Sequence, residues 1–111
     1  FELDCTTFSG CTSLKEICLP KNLERMDNYA FSGCSALEHI ELPQKLGYIS
    51  DGCFSGCSTL KSVEIPNNYT YIGSYAFSEC YSLDAITLPN ALRSIPVGAF
   101  DGCKALKEIT I

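Results

Sequence analysis

Apolar residues recur along this chain at a fixed interval of 23 residues, with no insertion between successive units. Each unit carries a Phe, a Cys, a Leu and a β-branched residue, and then a Leu or Ile that Pro follows in four units. Because stacked units of constant length place each apolar column against itself, the pattern predicts a solenoid with a continuous core. The two columns that open the unit are Phe8, Phe31, Phe54, Phe77 and Phe100, and Cys11, Cys34, Cys57, Cys80 and Cys103.

Within each unit the apolar and polar positions predict two short strands and a turn. Residues 40–42 read IEL and alternate as a half-buried strand does, and Pro43 ends this strand because it has no N–H to donate. We expect these strands to stack in register as a parallel sheet that rises about 4.8 Å per coil, or roughly 24 Å in all. The LGYI stretch at 46–49 predicts a second strand, and AFSGC predicts a tight turn or single 3₁₀ turn that carries Phe31 inward.

The repeated phrase resembles a known family. The unit LxxIxLPxxLxxIxxxAFxgCxx matches the BspA-like leucine-rich repeats over the whole chain, through its 23-residue length, its Leu-Pro step and its AFxxC phrase. This resemblance implies a repeat solenoid: a right-handed leucine-rich-repeat superhelix with a parallel β-sheet on one face, short strands and 3₁₀ turns on the other, and little α-helix. It also implies a secreted or surface-attached protein linked to adhesion. We expect residues 1–111 to form a single leucine-rich-repeat domain, with units starting near 8, 31, 54, 77 and 100, and to be a fragment of a longer array.

One departure from the repeat predicts backbone geometry. Glu79 stands in the column that holds Gly10, Gly33, Gly56 and Gly102 in the other units. Because a residue such as Glu is rarely found at positive φ, we expect negative φ throughout this column.

The cysteine column is predicted to consist of buried free thiols that fill space in the core. In-register neighbours would lie about 4.8 Å apart with parallel Cα–Cβ bonds, whereas a disulfide needs Cβ atoms about 3.8 Å apart and directed at each other. A ladder also never converges on one point, as zinc ligands must. Off the column, we expect Cys53 to be buried and Cys18 to be exposed, and a Cys5–Cys11 bridge is left open.

Composition, charge and the lack of known motifs argue against three classes of function: nucleic-acid binding, membrane insertion and catalysis. The chain has a net charge of −5, a pI near 4.7 and only 8 Lys and Arg, which are scattered singly and disfavour binding to nucleic acid. No apolar run approaches the roughly 20 residues that span a bilayer, so direct membrane insertion is not expected. The motifs of phosphate-binding loops, zinc hydrolases and serine hydrolases are missing, so we predict no enzymatic activity and no cofactor.

The outward positions of the first strand are one candidate binding face, as is usual for leucine-rich repeats. They are Glu16 and Cys18, His39 and Glu41, Ser62 and Glu64, Ala85 and Thr87, and Glu108 and Thr110. From this set we assign Glu16, His39, Glu41, Glu64 and Thr87 as candidate binding residues for a basic partner, with a plain solvated face as the alternative. One His beside two acids could hold a metal or transfer protons, but a surface histidine is the simpler interpretation, and we assign no metal site.

A second candidate is the column Arg25, Tyr48, Tyr71 and Ser94, in which two tyrosines fall on adjacent coils. We expect Tyr48 and Tyr71 to be exposed, and exposed tyrosines supply the contact area that is typical of interfaces. Cross-strand aromatic pairing alone would also explain them.

Taken with the resemblance, which implies a cell-surface or secreted location and a link to adhesion, these observations predict a recognition module. Its partner would be a protein or glycan on a host or neighbouring cell, bound through the outer face of the solenoid. The alternative is a set of structural spacer repeats in a larger surface protein, with no ligand site of their own. End-to-end self-association is a further expectation, because no polar coil caps the repeats.

Overall fold

Short parallel strands make up the regular structure of this computed structural model, which describes residues 2–3 and 8–110, with the side chains of residues 8–107. No helix is assigned within those ranges, in agreement with the lack of helical periodicity in the sequence. The strands are β1 (Glu2–Leu3), β2 (Arg25–Met26), β3 (His39–Glu41), β4 (Tyr48–Ile49), β5 (Ser62–Glu64), β6 (Tyr71–Ile72), β7 (Ala85–Thr87) and β8 (Glu108–Thr110).

The strands form two rows, one for each strand predicted within the repeat. In the first row β3 pairs with β5 and β7 pairs with β8, and partners such as Ile40 and Val63 are equivalent residues of adjacent units. In the second row β1 pairs with β2 and β4 pairs with β6. The middle residue of β3, β5 and β7 is buried while the flanking positions turn outward, as the alternation predicts.

Each row is built from pairs of strands and is not one continuous ladder. Within the described residues β5 and β7 are neighbours that are not joined by ladder hydrogen bonds, and a groove of about 320 Å³ lies between them. The coils remain joined there through the turn of the AFxxC phrase. The N–H of each Phe in this turn donates to a carbonyl of the next coil: Phe31 to Cys53 at 2.9 Å, Phe54 to Ala76 at 2.8 Å and Phe77 to Ala99 at 2.9 Å.

The phenylalanine column forms the predicted stack in the core. Ring centroids of successive residues from Phe8 to Phe100 are 5.3, 5.6, 5.5 and 5.7 Å apart, and the rings are nearly parallel. Phe31, Phe54 and Phe77 have no exposed surface. Equivalent side chains 23 residues apart therefore lie above one another, which confirms the solenoid.

The cysteine column consists of free thiols, as predicted, and the thiols also donate hydrogen bonds. Cys34, Cys57 and Cys80 are fully buried, and each S–H points at the carbonyl of the Phe in the preceding coil. The Sγ to oxygen distances are 2.8 Å for Cys34 to Phe8, and 3.2 Å for Cys57 to Phe31 and for Cys80 to Phe54. That carbonyl also accepts the N–H of the Cys in its own turn, as from Cys34 to Phe31 at 3.2 Å, so both of its lone pairs are used.

The remaining cysteines follow the sequence predictions where they are described. Cys53 is buried with no exposed surface, and Cys18 is exposed on the first row. The possible Cys5–Cys11 bridge involves Cys5, which lies outside the described residues.

The prediction of negative φ in the glycine column is wrong. Gly10, Gly33, Gly56 and Gly102 have φ between 75° and 78°, and Glu79 has φ of 59°. The left-handed conformation directs the N–H of this column at a carbonyl of the next coil, and Glu79 donates to Asp101 at 2.7 Å. This hydrogen bond and the neighbouring coils hold Glu79 in place against a backbone cost of about 1–2 kcal/mol.

Candidate functional site

The outward side chains of the first row form an acidic face, here defined as Glu16, His39, Glu41, Glu64 and Thr87. Glu41 lies directly opposite Glu64 in the pairing of β3 with β5, so two carboxylates occupy adjacent coils. All members of this face except the half-buried His39 are exposed. Glu108 and Thr110 continue the row on β8, but their side chains lie outside the described set.

His39 joins a serine and a carboxylate on this face. Its Nδ1 is 2.9 Å from the Ser62 hydroxyl oxygen, and its Nε2 is 4.0 Å from Oε1 of Glu41. For Ser62 to act as a nucleophile with His39 and Glu41, hydrogen-bond donors would also have to be preorganised to stabilise an oxyanion. Ser62 is exposed on β5 and is not among the described residues that line the adjoining groove of about 590 Å³, to which His39 and Glu41 belong. The three groups therefore form a polar surface network.

That adjoining groove lies between residues 16–21 and β3, and the exposed thiol of Cys18 lines it together with Glu16 and His39. Despite these groups, no cluster of three or more His, Cys, Asp or Glu in the described part of the chain has the arrangement to hold a metal ion.

The second row carries a groove of about 500 Å³, here called the tyrosine groove. It is lined by Met26, Asp27, Asn28, Tyr29, Tyr48, Ser50, Asp51 and Tyr71. It lies where β2 and β4 are adjacent in the stack without being paired in a sheet.

Tyr48 accounts for this interruption. Its hydroxyl accepts the N–H of Met26 at 3.0 Å and donates to the Met26 carbonyl at 3.2 Å. The phenol thus satisfies both backbone groups that a ladder between β2 and β4 would use. Tyr48 is half-buried as a result, and the prediction of an exposed side chain is wrong.

Tyr71 is exposed, as predicted, and it leans toward Asp51 of the preceding coil. Its hydroxyl donates to Oδ1 of Asp51 at 3.0 Å, and the same oxygen accepts the N–H of Ser74 at 3.0 Å. The hydrogen bond to this carboxylate raises the pKa of the Tyr71 hydroxyl, because it stabilises the protonated phenol. Asp51 in turn donates its N–H to Oδ1 of Asn28 at 3.2 Å.

Tyr29 lines the same groove, but it extends toward the coil of Asp51 from the preceding coil, whereas Tyr71 extends toward it from the following one. It has φ of 63°, and its ring covers Gly52 so closely that a Cβ at this glycine would collide with it. Tyr75 repeats the arrangement over Gly98 two coils further on. The sequence prediction gave the column of Tyr29 and Tyr75 only slight weight, and it missed Asn28 and Asp51 as groove residues. The available signals were the alternation of Tyr and Gly in one column and the recurrence of Asn and Asp in the column before it.

Comparison with known proteins places these features in context. The family model of the BspA type leucine rich repeat region matches residues 2–111 in 6 copies. A leucine-rich repeat protein from Bacteroides ovatus has a TM-score of 0.94 at 33% identity, and the match covers 99% of this chain and 28% of that protein. The leucine rich repeat protein of T. pallidum has a TM-score of 0.89 at 31% identity, and the match covers 98% of this chain and 62% of that protein.

None of the curated protein sequences matches this chain. Within residues 2–3 and 8–110 there is also no helix with the length and apolar character needed to cross a bilayer.

Proposed function

Because the chain belongs to the BspA-type leucine-rich repeat family, we propose that it is a recognition module that binds a protein partner outside the cell or at the cell surface. Repeats of this family are generally protein-interaction or structural modules, and they are generally not enzymes. The open questions are therefore whether these coils carry a contact surface and where it lies.

The tyrosine groove is the observation that carries the proposal. Tyr29 and Tyr71 expose 52% and 49% of their surface, although the hydroxyl of Tyr71 is already bonded to Asp51. The rings therefore present apolar faces beside the half-buried carboxylate of Asp51, and rigid aromatic side chains of this kind are enriched where proteins meet. The acidic face lies in the other row of strands and offers a second, purely polar contact surface.

Binding to purified extracellular-matrix and cell-surface proteins, measured by surface plasmon resonance, tests this proposal. We expect the variant Tyr71→Ser to weaken binding by about tenfold, as loss of an aromatic contact residue does, without a matching fall in melting temperature. The double variant Glu41→Gln, Glu64→Gln removes charge from the acidic face and tests whether that face contributes.

The alternative function is a spacer within a longer surface protein. The unbroken phenylalanine stack and the hydrogen bonds of the AFxxC turn favour it, because they join every coil to the next along a rod. If none of the purified proteins binds the wild-type chain, the spacer function replaces recognition. Equal binding of the wild type, Tyr71→Ser and the double glutamine variant would instead place the contact surface outside both the tyrosine groove and the acidic face.

Location outside the cell is part of the same proposal and has its own test. Brief protease treatment or amine biotinylation of intact cells of the source organism should modify the protein while cytoplasmic markers remain protected. Protection of this protein together with those markers would contradict a surface location.

A further inference from the structure

The tyrosine groove combines negative charge with aromatic surface. Asp27 and Asp51 contribute carboxylates, and no Lys or Arg is among the described residues that line the groove. Both hydrogen bonds recorded at the Asp51 carboxylate go to one oxygen, Oδ1, whereas a carboxylate has about four acceptor positions. The groove therefore keeps acceptor capacity and negative charge next to the rings of Tyr29 and Tyr71.

Elsewhere in the chain a tyrosine, a carboxylate and a cation lie together. Tyr81 donates its hydroxyl to the Glu79 carboxylate at 3.4 Å, which is the same kind of pair as Tyr71 with Asp51. Lys104 of the next coil places its ammonium nitrogen 5.3 Å from the centre of the Tyr81 ring. The ammonium thus lies over the ring that is bonded to the carboxylate, within the roughly 6 Å of a cation–π contact.

The equivalent position beside Tyr71 is not basic. Lys104 follows Tyr81 by 23 residues, and the residue that follows Tyr71 by the same interval is Ser94. The repeat therefore supplies a cation to the Tyr81 pair from the next coil, whereas the next coil supplies none to the Tyr71 pair. The cation of the tyrosine column itself, Arg25 on β2, has an interaction of its own and is not among the residues that line the groove.

We propose that the tyrosine groove binds a lysine or arginine side chain from a basic segment of the partner protein. The cationic group lies against the rings of Tyr29 and Tyr71 and forms an ion pair with Asp51. The groove volume of about 500 Å³ is within the range of about 300–1,000 Å³ found for ligand sites, so it accommodates a long basic side chain and part of its backbone. This inference rests on the proposed recognition function and specifies the chemistry of the partner.

A matched pair of peptide probes tests the charge requirement. The first probe is acetyl-Gly-Arg-Gly-Lys-Gly-Arg-Gly-amide, and the second replaces Arg by citrulline and Lys by acetyl-lysine, which are neutral and of similar shape. Binding to the 111-residue chain is measured by titration calorimetry and by NMR chemical-shift changes at low salt. We expect the neutral probe to bind at least about tenfold more weakly, and we expect added salt to weaken the basic probe.

Substitutions then locate the site. Asp51→Asn keeps the oxygen that accepts from Ser74 and Tyr71 and removes only the charge, so we expect about fivefold weaker binding with little change in melting temperature. Its charge control is Asp84→Asn, at an exposed aspartate outside both the tyrosine groove and the acidic face, for which we expect less than a twofold effect.

The aromatic control is built into the repeat. Tyr29 and Tyr75 both have positive φ, both cover a glycine of the next coil, and they expose 52% and 44% of their surface. Only Tyr29 lines the groove. Tyr29→Ser should weaken the basic probe about fivefold while Tyr75→Ser leaves binding within about twofold, although both lose the same kind of packing.

Four results would overturn this inference: equal binding of the two probes, equal effects of Tyr29→Ser and Tyr75→Ser, an effect of Asp84→Asn as large as that of Asp51→Asn, or binding of a neutral oligosaccharide in this groove in place of the basic probe. The recognition function is judged separately by the purified-protein panel. A partner that binds through the groove without any sensitivity to Asp51→Asn would preserve that function and refute the cation site.

Discussion

Buried thiols make the stability of this fold sensitive to alkaline pH. Burial raises the pKa of Cys53 and Cys80 from the ordinary 9.0 to about 12, and burial, reinforced by the neighbouring Cys80, raises that of Cys57 as well. Each thiol is therefore neutral in the folded chain over a pH range in which the unfolded chain releases its proton. The stabilising contribution is complete below pH 9 and is lost as the pH rises from 9 toward the folded-state pKa.

The size of the loss follows from proton linkage. Above pH 9 each such thiol lowers the free energy of unfolding by about 1.4 kcal/mol per pH unit. For these three thiols alone the loss at pH 10 is about 4 kcal/mol, a large fraction of the roughly 5–15 kcal/mol that stabilises a typical domain. Burial also raises the pKa of the Cys34 thiol, which adds to the loss. We therefore expect the chain to be stable at pH 8 and close to its unfolding transition between about pH 10 and 11.

Urea unfolding followed by circular dichroism at several pH values, under reducing conditions, measures this loss. Cys57→Ala removes one of the contributing thiols, so its free energy of unfolding should fall less steeply with pH, by about 1.4 kcal/mol per pH unit, even if it starts lower at pH 7. Cys18→Ala removes a thiol that is exposed in the folded chain, and its pH dependence should match the wild type. A free energy of unfolding that stays constant from pH 8 to 10, or a Cys57→Ala variant with the wild-type slope, would refute the linkage.

Further predictions test the core, the backbone and the accessibility of the thiols. Phe54 is fully buried between two stacked rings, so Phe54→Ala should cost about 3–5 kcal/mol in urea unfolding, and a loss below about 1 kcal/mol would contradict the stacked core. Glu79→Gly should raise stability by about 0.5–1 kcal/mol because Gly adopts positive φ without strain, and a fall would show that Glu79 is relaxed there. Iodoacetamide added to the native chain at pH 8 should modify Cys18 rapidly and Cys57 only as the chain unfolds, as followed by mass spectrometry; equal rates would contradict the burial of the column.

The repeat unit predicted most of the architecture because one interval controls several contacts together. Once Phe31 and Phe54 occupy equivalent places in coils of equal length, their rings must stack, and the Ile40 and Val63 strands must pair in parallel and in register. The thiol column followed from the same geometry, since a ladder of parallel side chains suits neither disulfides nor zinc. Its S–H bonds to the phenylalanine carbonyls were not predicted, because they depend on the rotamer of each Cys.

The errors have local physical causes. Negative φ at the glycine column was inferred from the presence of Glu79. A single non-glycine residue shows that the position tolerates it, but it does not show that φ is negative there. The 2.7 Å hydrogen bond from the N–H of Glu79 to the Asp101 carbonyl, together with the neighbouring coils, holds Glu79 at positive φ. The exposure of Tyr48 was expected from its column in the repeat, but a column fixes the position of Cβ and not where a long side chain ends. Its hydroxyl reaches the preceding coil and is half-buried there.

Tyr48 also explains how a repeat of constant length acquires a groove without an insertion. When the second-row backbones of two coils bond to each other, as β4 and β6 do, they close the space between them. Where the Tyr48 hydroxyl takes the Met26 N–H and carbonyl in their place, β2 and β4 stay apart and the groove opens. Tyr71 occupies the same column one coil later, yet its hydroxyl bonds to Asp51 and leaves the backbone ladder intact. The hydrogen-bond partner of one tyrosine hydroxyl therefore determines whether two adjacent second-row strands pair or leave a groove between them. The phenylalanine and cysteine columns that join the coils are the same in both cases.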